Sequence, residues 1–242
     1  MTTRRAPSDQ SPDALPASWQ RLLALSGIAF AVLLIVGFFI SGGDAPDYTA
    51  ADQEWISWAA GNATKGRVGA LLILLAGFVF LHFVGMIRNV FEEAEATTHG
   101  SMQLARVVFA GAVTGISGIT MAILMIAGAT AEGADANPLV SRAIANATVG
   151  PFLVAAMGFA ALLAAAGLLT LRSGVFARGS GIVALIGALG FFITFFTLIP
   201  GPTKDSVFGY GFPIGILGLA IWSITTSVAR YRAVASNREG IG

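Results

Sequence analysis

The sequence predicts an all-α, polytopic membrane protein: a bundle of six transmembrane helices, both ends cytoplasmic, with a short interfacial helix in the first outer loop. Three observations predict it. Of 242 residues, 55% are hydrophobic and 11% charged, whereas a soluble domain carries roughly 25% charged residues. The 14 basic and 13 acidic side chains all fall outside six windows: Leu22–Gly43, Val68–Ile87, Val107–Ala131, Ala143–Leu171, Gly179–Thr203 and Ser206–Ala229. Lys and Arg are also divided unevenly between alternate connections, ten on one side against four on the other.

Each window is long enough to span. A hydrocarbon core about 30 Å thick needs roughly 20 helical residues at about 1.5 Å each, and in lipid every backbone amide must find its partner within the protein. A barrel would need strands alternating apolar and polar, and Leu71-Leu72-Ile73-Leu74-Leu75 does not alternate. Net charge is +1 and no dense basic run occurs, which excludes nucleic acid as a partner. Cysteine is absent, so disulfides, thiolate metal sites and cysteine nucleophiles are excluded as well.

Orientation follows from the retention of positive residues on the cytoplasmic side. With the amino end inside, the inner segments hold Arg4, Arg5, Arg21, Arg88, Arg106, Arg172, Arg178, Arg230, Arg232 and Arg238, and the outer ones Lys65, Arg67, Arg142 and Lys204. The first apolar run is longer than a secretory signal core of roughly 7–15 residues and has no small-x-small cleavage site before Gly42-Gly43-Asp44. It therefore reads as an uncleaved signal-anchor. The expected location is the cytoplasmic membrane.

Taken in order, residues 1–18 are rich in Pro, Ser, Asp and Arg and read as a disordered cytoplasmic tail. Residues 19–233 form the six-helix domain and 234–242 a second cytoplasmic tail. Trp19 sits where an interfacial anchor belongs. In the longest outer segment, from about Asp44 to Arg67, Thr49-Ala50-Ala51-Asp52 resembles a capping box opening a short helix. Trp55, Ile56, Trp58 and Ala59 share one side of that helix and should lie on lipid, with Asp47, Asp52 and Glu54 toward water.

In the second outer connection Asn137-Pro138 reads as a cap followed by a first-turn proline. Gly150-Pro151 then predicts a fourth helix that is kinked or begins as an interfacial segment. The third outer turn, Pro200–Asp205, is tight; of the inner links, Glu92–Gly100 is the largest and Ser173–Arg178 is short. Asn-Ala-Thr recurs at Asn62 and Asn146, but on helices that run the same way, so it does not support an inverted repeat.

Gly111, Gly115 and Gly118 lie on one side of the third helix, Gly211, Gly215 and Gly218 on one side of the sixth, and Gly179, Gly187 and Gly190 along the fifth. Such faces let backbones approach, either across a homodimer seam or within one bundle. His82 is the only side chain in the windows that titrates near neutrality. As a buried polar group it has three possible uses: haem ligand, proton relay, or imidazole bonded to a neighbouring helix through Thr114, Ser117 or Ser223. A bis-histidine haem needs a second buried histidine, yet His99 lies in the inner loop, and a relay needs a carboxylate that the windows lack.

The same lack argues against ion-coupled transport, and no HExxH or GxSxG occurs. No catalytic set, cofactor or metal is implied. At the outer surface, Arg67, Arg142, Asn146, Lys204 and Tyr210 surround an expected mouth roofed by Trp55 and Trp58. Two uses suit this cluster: a site for an anionic headgroup or small solute, since cations beside aromatics favour one, or a set of unrelated interfacial anchors.

The layout resembles a family of small, Ala- and Gly-rich six-span proteins common in actinobacteria and described as a domain of unknown function. Carrying the resemblance are Glu54-Trp55-Ile56-Ser57-Trp58, Asn62 to Arg67, Phe83-Val84-Gly85-Met86-Ile87-Arg88 and Val108-Phe109-Ala110-Gly111. It implies a bacterial membrane bundle and supplies no site residues. The leading expectation is a non-enzymatic accessory or structural component whose partners are membrane lipids, other membrane proteins or itself. A carrier or a lipid- or solute-binding protein is the alternative, and a haem or redox protein the second alternative.

Overall fold

The computed structural model describes residues 16–41, 46, 50–99, 103–135, 137–198 and 210–239. They form α1 (Ala17–Ile40), α2 (Asp52–His99), α3 (Gln103–Ala129), α4 (Pro138–Ala147), α5 (Val149–Ser173), α6 (Arg178–Thr194) and α7 (Gly211–Glu239), with 3-10 turns at Gly133–Asp135 and Phe195–Leu198. No strand occurs among the described residues. Six helical stretches are long and apolar enough to cross a membrane, α4 and α5 counting as one. The protein is a multi-pass integral membrane bundle. Residues 1–15 of the amino-terminal tail, Asp47, Thr49 and the Pro200–Asp205 turn lie outside the described residues, and α1 already begins at Ala17.

The helices close a ring. Each span packs on the next, and α7 returns to α1. Rings fill the axis: Phe80 stacks on Phe30 at 4.0 Å and meets Phe159 edge-on at 6.2 Å, Phe159 meets Phe191 at 5.4 Å, and Phe191 meets Phe212 at 5.6 Å. Trp222 closes the other side against Phe83 at 5.8 Å. Large aromatics suit this position because each fills the wide centre of a six-membered ring and gains edge-to-face contacts beyond its buried area.

One expectation needs correction. The outer helix is not a separate interfacial element, because helix runs unbroken from Asp52 to His99 and absorbs most of the Glu92–Gly100 link as well. No proline interrupts these 48 residues, and isolated glycines cost only about 1 kcal/mol each in a helix. At about 1.5 Å per residue the helix is about 72 Å long, so both ends project well beyond a hydrocarbon core. The final helix runs on to Glu239, so the segment after residue 233 starts as helix.

The Asn137 and Gly150-Pro151 expectations hold. The Asn137 side chain accepts from the Leu139 and Val140 amides at 3.0 and 3.3 Å, capping α4 with Pro138 in its first turn. The chain then breaks at Thr148, and Phe152 N–H donates to the Thr148 carbonyl at 3.0 Å to open α5. Pro151 stands in that first turn, where its missing N–H removes no helical bond.

Both glycine faces are consumed inside the bundle, and in the same way. On α3, Gly111 meets the Gly158 carbonyl and Leu162 backbone, Gly115 the Phe159 ring, and Gly118 the Ala155 backbone and Pro151 carbonyl. On α7, Gly211 meets the Gly190 carbonyl and Thr194 backbone, Gly215 the Phe191 ring, and Gly218 Gly187 and the Val183 carbonyl. Each contact in one pair has its counterpart at the same spacing in the other, so α3–α5 and α7–α6 are two copies of one packing unit. Gly179 stands apart: a side chain there would meet open space.

Candidate functional site

At one end of the bundle, α2 begins, α3 ends and α4 crosses between them. Trp55, Trp58 and Ala59 are buried against Ala129 and Ala145, so the apolar side of this first stretch of α2 is covered by protein rather than lipid. The two indoles meet edge-on at 5.6 Å, and the Arg142 guanidinium lies 5.8 Å from the Trp55 ring. Arg142 Nη2 donates to the Ala50 carbonyl at 2.8 Å and to Asp52 Oδ1 at 2.9 Å. Trp55 Nε1, Trp58 Nε1 and Arg142 Nε are buried with no acceptor.

The exit of α3 explains the rest of the junction. Its last four carbonyls would be orphaned without help. Thr130 N–H donates to the Ile126 carbonyl, the Thr130 hydroxyl reaches the Ala127 carbonyl, Ala131 N–H takes Gly128, and the buried Ser141 hydroxyl takes Ala129 at 2.8 Å. Arg67 Nη2 donates to the Ala131 carbonyl at 2.6 Å just beyond.

Of the expected mouth residues, Trp55, Trp58 and Arg142 therefore come together. Arg67 is held on the α3 exit, Asn146 is exposed on α4 and Tyr210 is exposed at the start of α7, with no bond joining any of them to the tryptophans. Lys204 lies outside the described residues.

His82 is not buried. Its side chain is exposed on the bundle surface, and Nδ1 donates to the Phe78 carbonyl of its own helix at 2.9 Å. Because a carbonyl only accepts, Nδ1 carries the proton there and Nε2 is left without one in the neutral ring. Thr114, Ser117 and Ser223 are not its partners; Ser223 is fully buried elsewhere, on α7. His82 and His99 share α2, 17 residues and about 25 Å apart, which rules them out as axial partners of one haem.

No family model matches this chain, and no curated protein or solved structure matches it.

The opposite end of the bundle holds two features that sequence reading missed. Glu95 is buried on α2, and its two carboxylate oxygens accept from the Leu104 and Ala105 amides at 3.1 and 3.0 Å. It caps the amino terminus of α3 from another helix, where negative charge also complements the helix dipole. The only signal in the sequence was a carboxylate about one turn before a helix end, which is too common to read. The second feature is a groove of about 610 Å³ between α1, α2 and α7, bordered by His82, Gly85, Asn89, Glu93 and Arg230.

Proposed function

We propose that this protein is a non-enzymatic accessory or structural component of the cytoplasmic membrane, with both termini inside, acting through membrane lipids and other membrane proteins. The observation that carries this reading is the run of aromatic contacts through the bundle interior, which ties α1, α2, α5, α6 and α7 together by packed rings. Uncharged spans agree with it, since coupled transport usually needs carboxylates in the membrane. The actinobacterial resemblance and the arginine bias support a bacterial inner membrane and the inward orientation.

Copurification in mild detergent or native-lipid nanodiscs tests the proposal. A reproducible membrane-protein partner is expected, together with ion and solute fluxes no greater than those of empty liposomes. A lone monomer that moves a solute would overturn it.

A second reading, ligand binding at the Trp55 end, is favoured by one observation: three buried donors there lack acceptors. Donors without acceptors suit a phosphate or carboxylate oxygen. Arg142→Ala is expected to weaken binding of anionic lipid about tenfold, and unchanged binding would eliminate the site.

A further inference from the structure

The groove between α1, α2 and α7 is amphipathic along its length. Leu81 and Leu23 line its apolar part, while Asn89, Glu93 and Arg230 line the other. From Leu81 to Glu93 it follows α2 for 12 residues, about 18 Å. The uncharged window of that span ends at Ile87, so the groove crosses the level where hydrocarbon gives way to headgroups. Its volume of about 610 Å³ suits a small amphiphile.

Its charges are one of each sign, and neither Glu93 nor Arg230 forms an ion pair among the described residues. Gly85 forms part of the wall, and a side chain at that position would meet nothing within 4 Å. The groove therefore offers a cation, a carboxylate and an apolar run, with its own charges summing to zero.

We propose that this groove seats one phospholipid with a zwitterionic, primary-ammonium headgroup. Its phosphate pairs with Arg230, its ammonium with Glu93, and an acyl chain follows Leu81 and Leu23. Guanidinium and phosphate form charge-assisted bonds, and the ammonium hydrogens do the same with a carboxylate. A net-anionic glycerol headgroup would meet Glu93 without a cation to offer it. A choline headgroup carries the cation but has methyl groups where the donors should be.

Native mass spectrometry of the detergent-purified protein, mixed with equal amounts of phosphatidylethanolamine, phosphatidylcholine and phosphatidylglycerol of identical chains, tests this. The wild type is expected to retain phosphatidylethanolamine about fivefold over each of the others. Glu93→Gln should abolish that preference. Gly85→Leu should fold, because its side chain enters open space, and should block retention of all three. Equal retention of the three lipids by the wild type, or retention by Gly85→Leu at wild-type level with its thermal midpoint preserved, would overturn the proposal.

Discussion

Glu95 does in one side chain what a local cap does elsewhere in the chain. It satisfies two amides at the start of α3 from a position on α2, so it joins two helices as well as ending one. Removing it leaves two donors without their acceptor, at a cost of about 1–3 kcal/mol. Glu95→Ala is therefore expected to lower the thermal midpoint in detergent, and Glu95→Gln, which keeps one acceptor oxygen, to lower it less. Arg142 acts by the same logic at the other end, but its partner Asp52 is exposed, so the ion pair itself contributes at most about 1 kcal/mol. The greater effect of Arg142→Ala is expected in its setting, read as a red shift of tryptophan emission when Trp55 loses the guanidinium over its ring. Trp55, Trp58 and Arg142 could be singled out in the sequence because tryptophans and a cation fall together in the expected outer connections. Glu95 could not, because its significance depends on a contact nine residues further on, in a different helix.

Among elements, the paired glycine faces make the clearest demand. A Cβ on Gly158 would fall closer than 3.0 Å to the backbone of both Gly111 and Gly115, and helix backbone cannot give way as a side chain can. Gly158→Ala is expected to destabilise by about 1–3 kcal/mol. Gly115→Ala and Gly215→Ala should cost less and match each other, since each meets a phenylalanine ring instead. Gly85→Ala, in open space within the same long α2, should gain about 0.5–1 kcal/mol from helix propensity. Chemical denaturation in mixed micelles measures all four. The faces themselves were legible as spacing, but spacing alone left a homodimer seam open. Only the partner helices, with Gly158-Phe159 and Gly190-Phe191 at matching positions, assign both faces to the interior. The continuity of α2 was hidden for a related reason: charge marks where lipid ends, and a helix need not end there.

For the whole molecule, an even number of apolar spans predicts that Ser18 and Ser236 face the same side, and the arginine bias predicts that this side is the cytoplasm. The chain has no cysteine, so single cysteines at Ser18 and Ser236 report this directly. Both are expected to resist a membrane-impermeant maleimide in intact cells and to react after lysis, whereas Asp135→Cys, in the connection between α3 and α4, should react at once. Labelling of Ser18→Cys in intact cells would reverse the orientation.

By itself the sequence determined the number of spans and the residues that cap α4, because charge, length and local hydrogen bonding act along the chain. Tertiary structure alone decided which helices are neighbours, that the ring is filled by aromatics, that His82 faces outward, and that Glu95 and the groove beside Glu93 and Arg230 exist. These depend on which face of each helix meets another. In a chain where lipid-facing and core-facing residues are equally apolar, hydropathy carries no record of that choice.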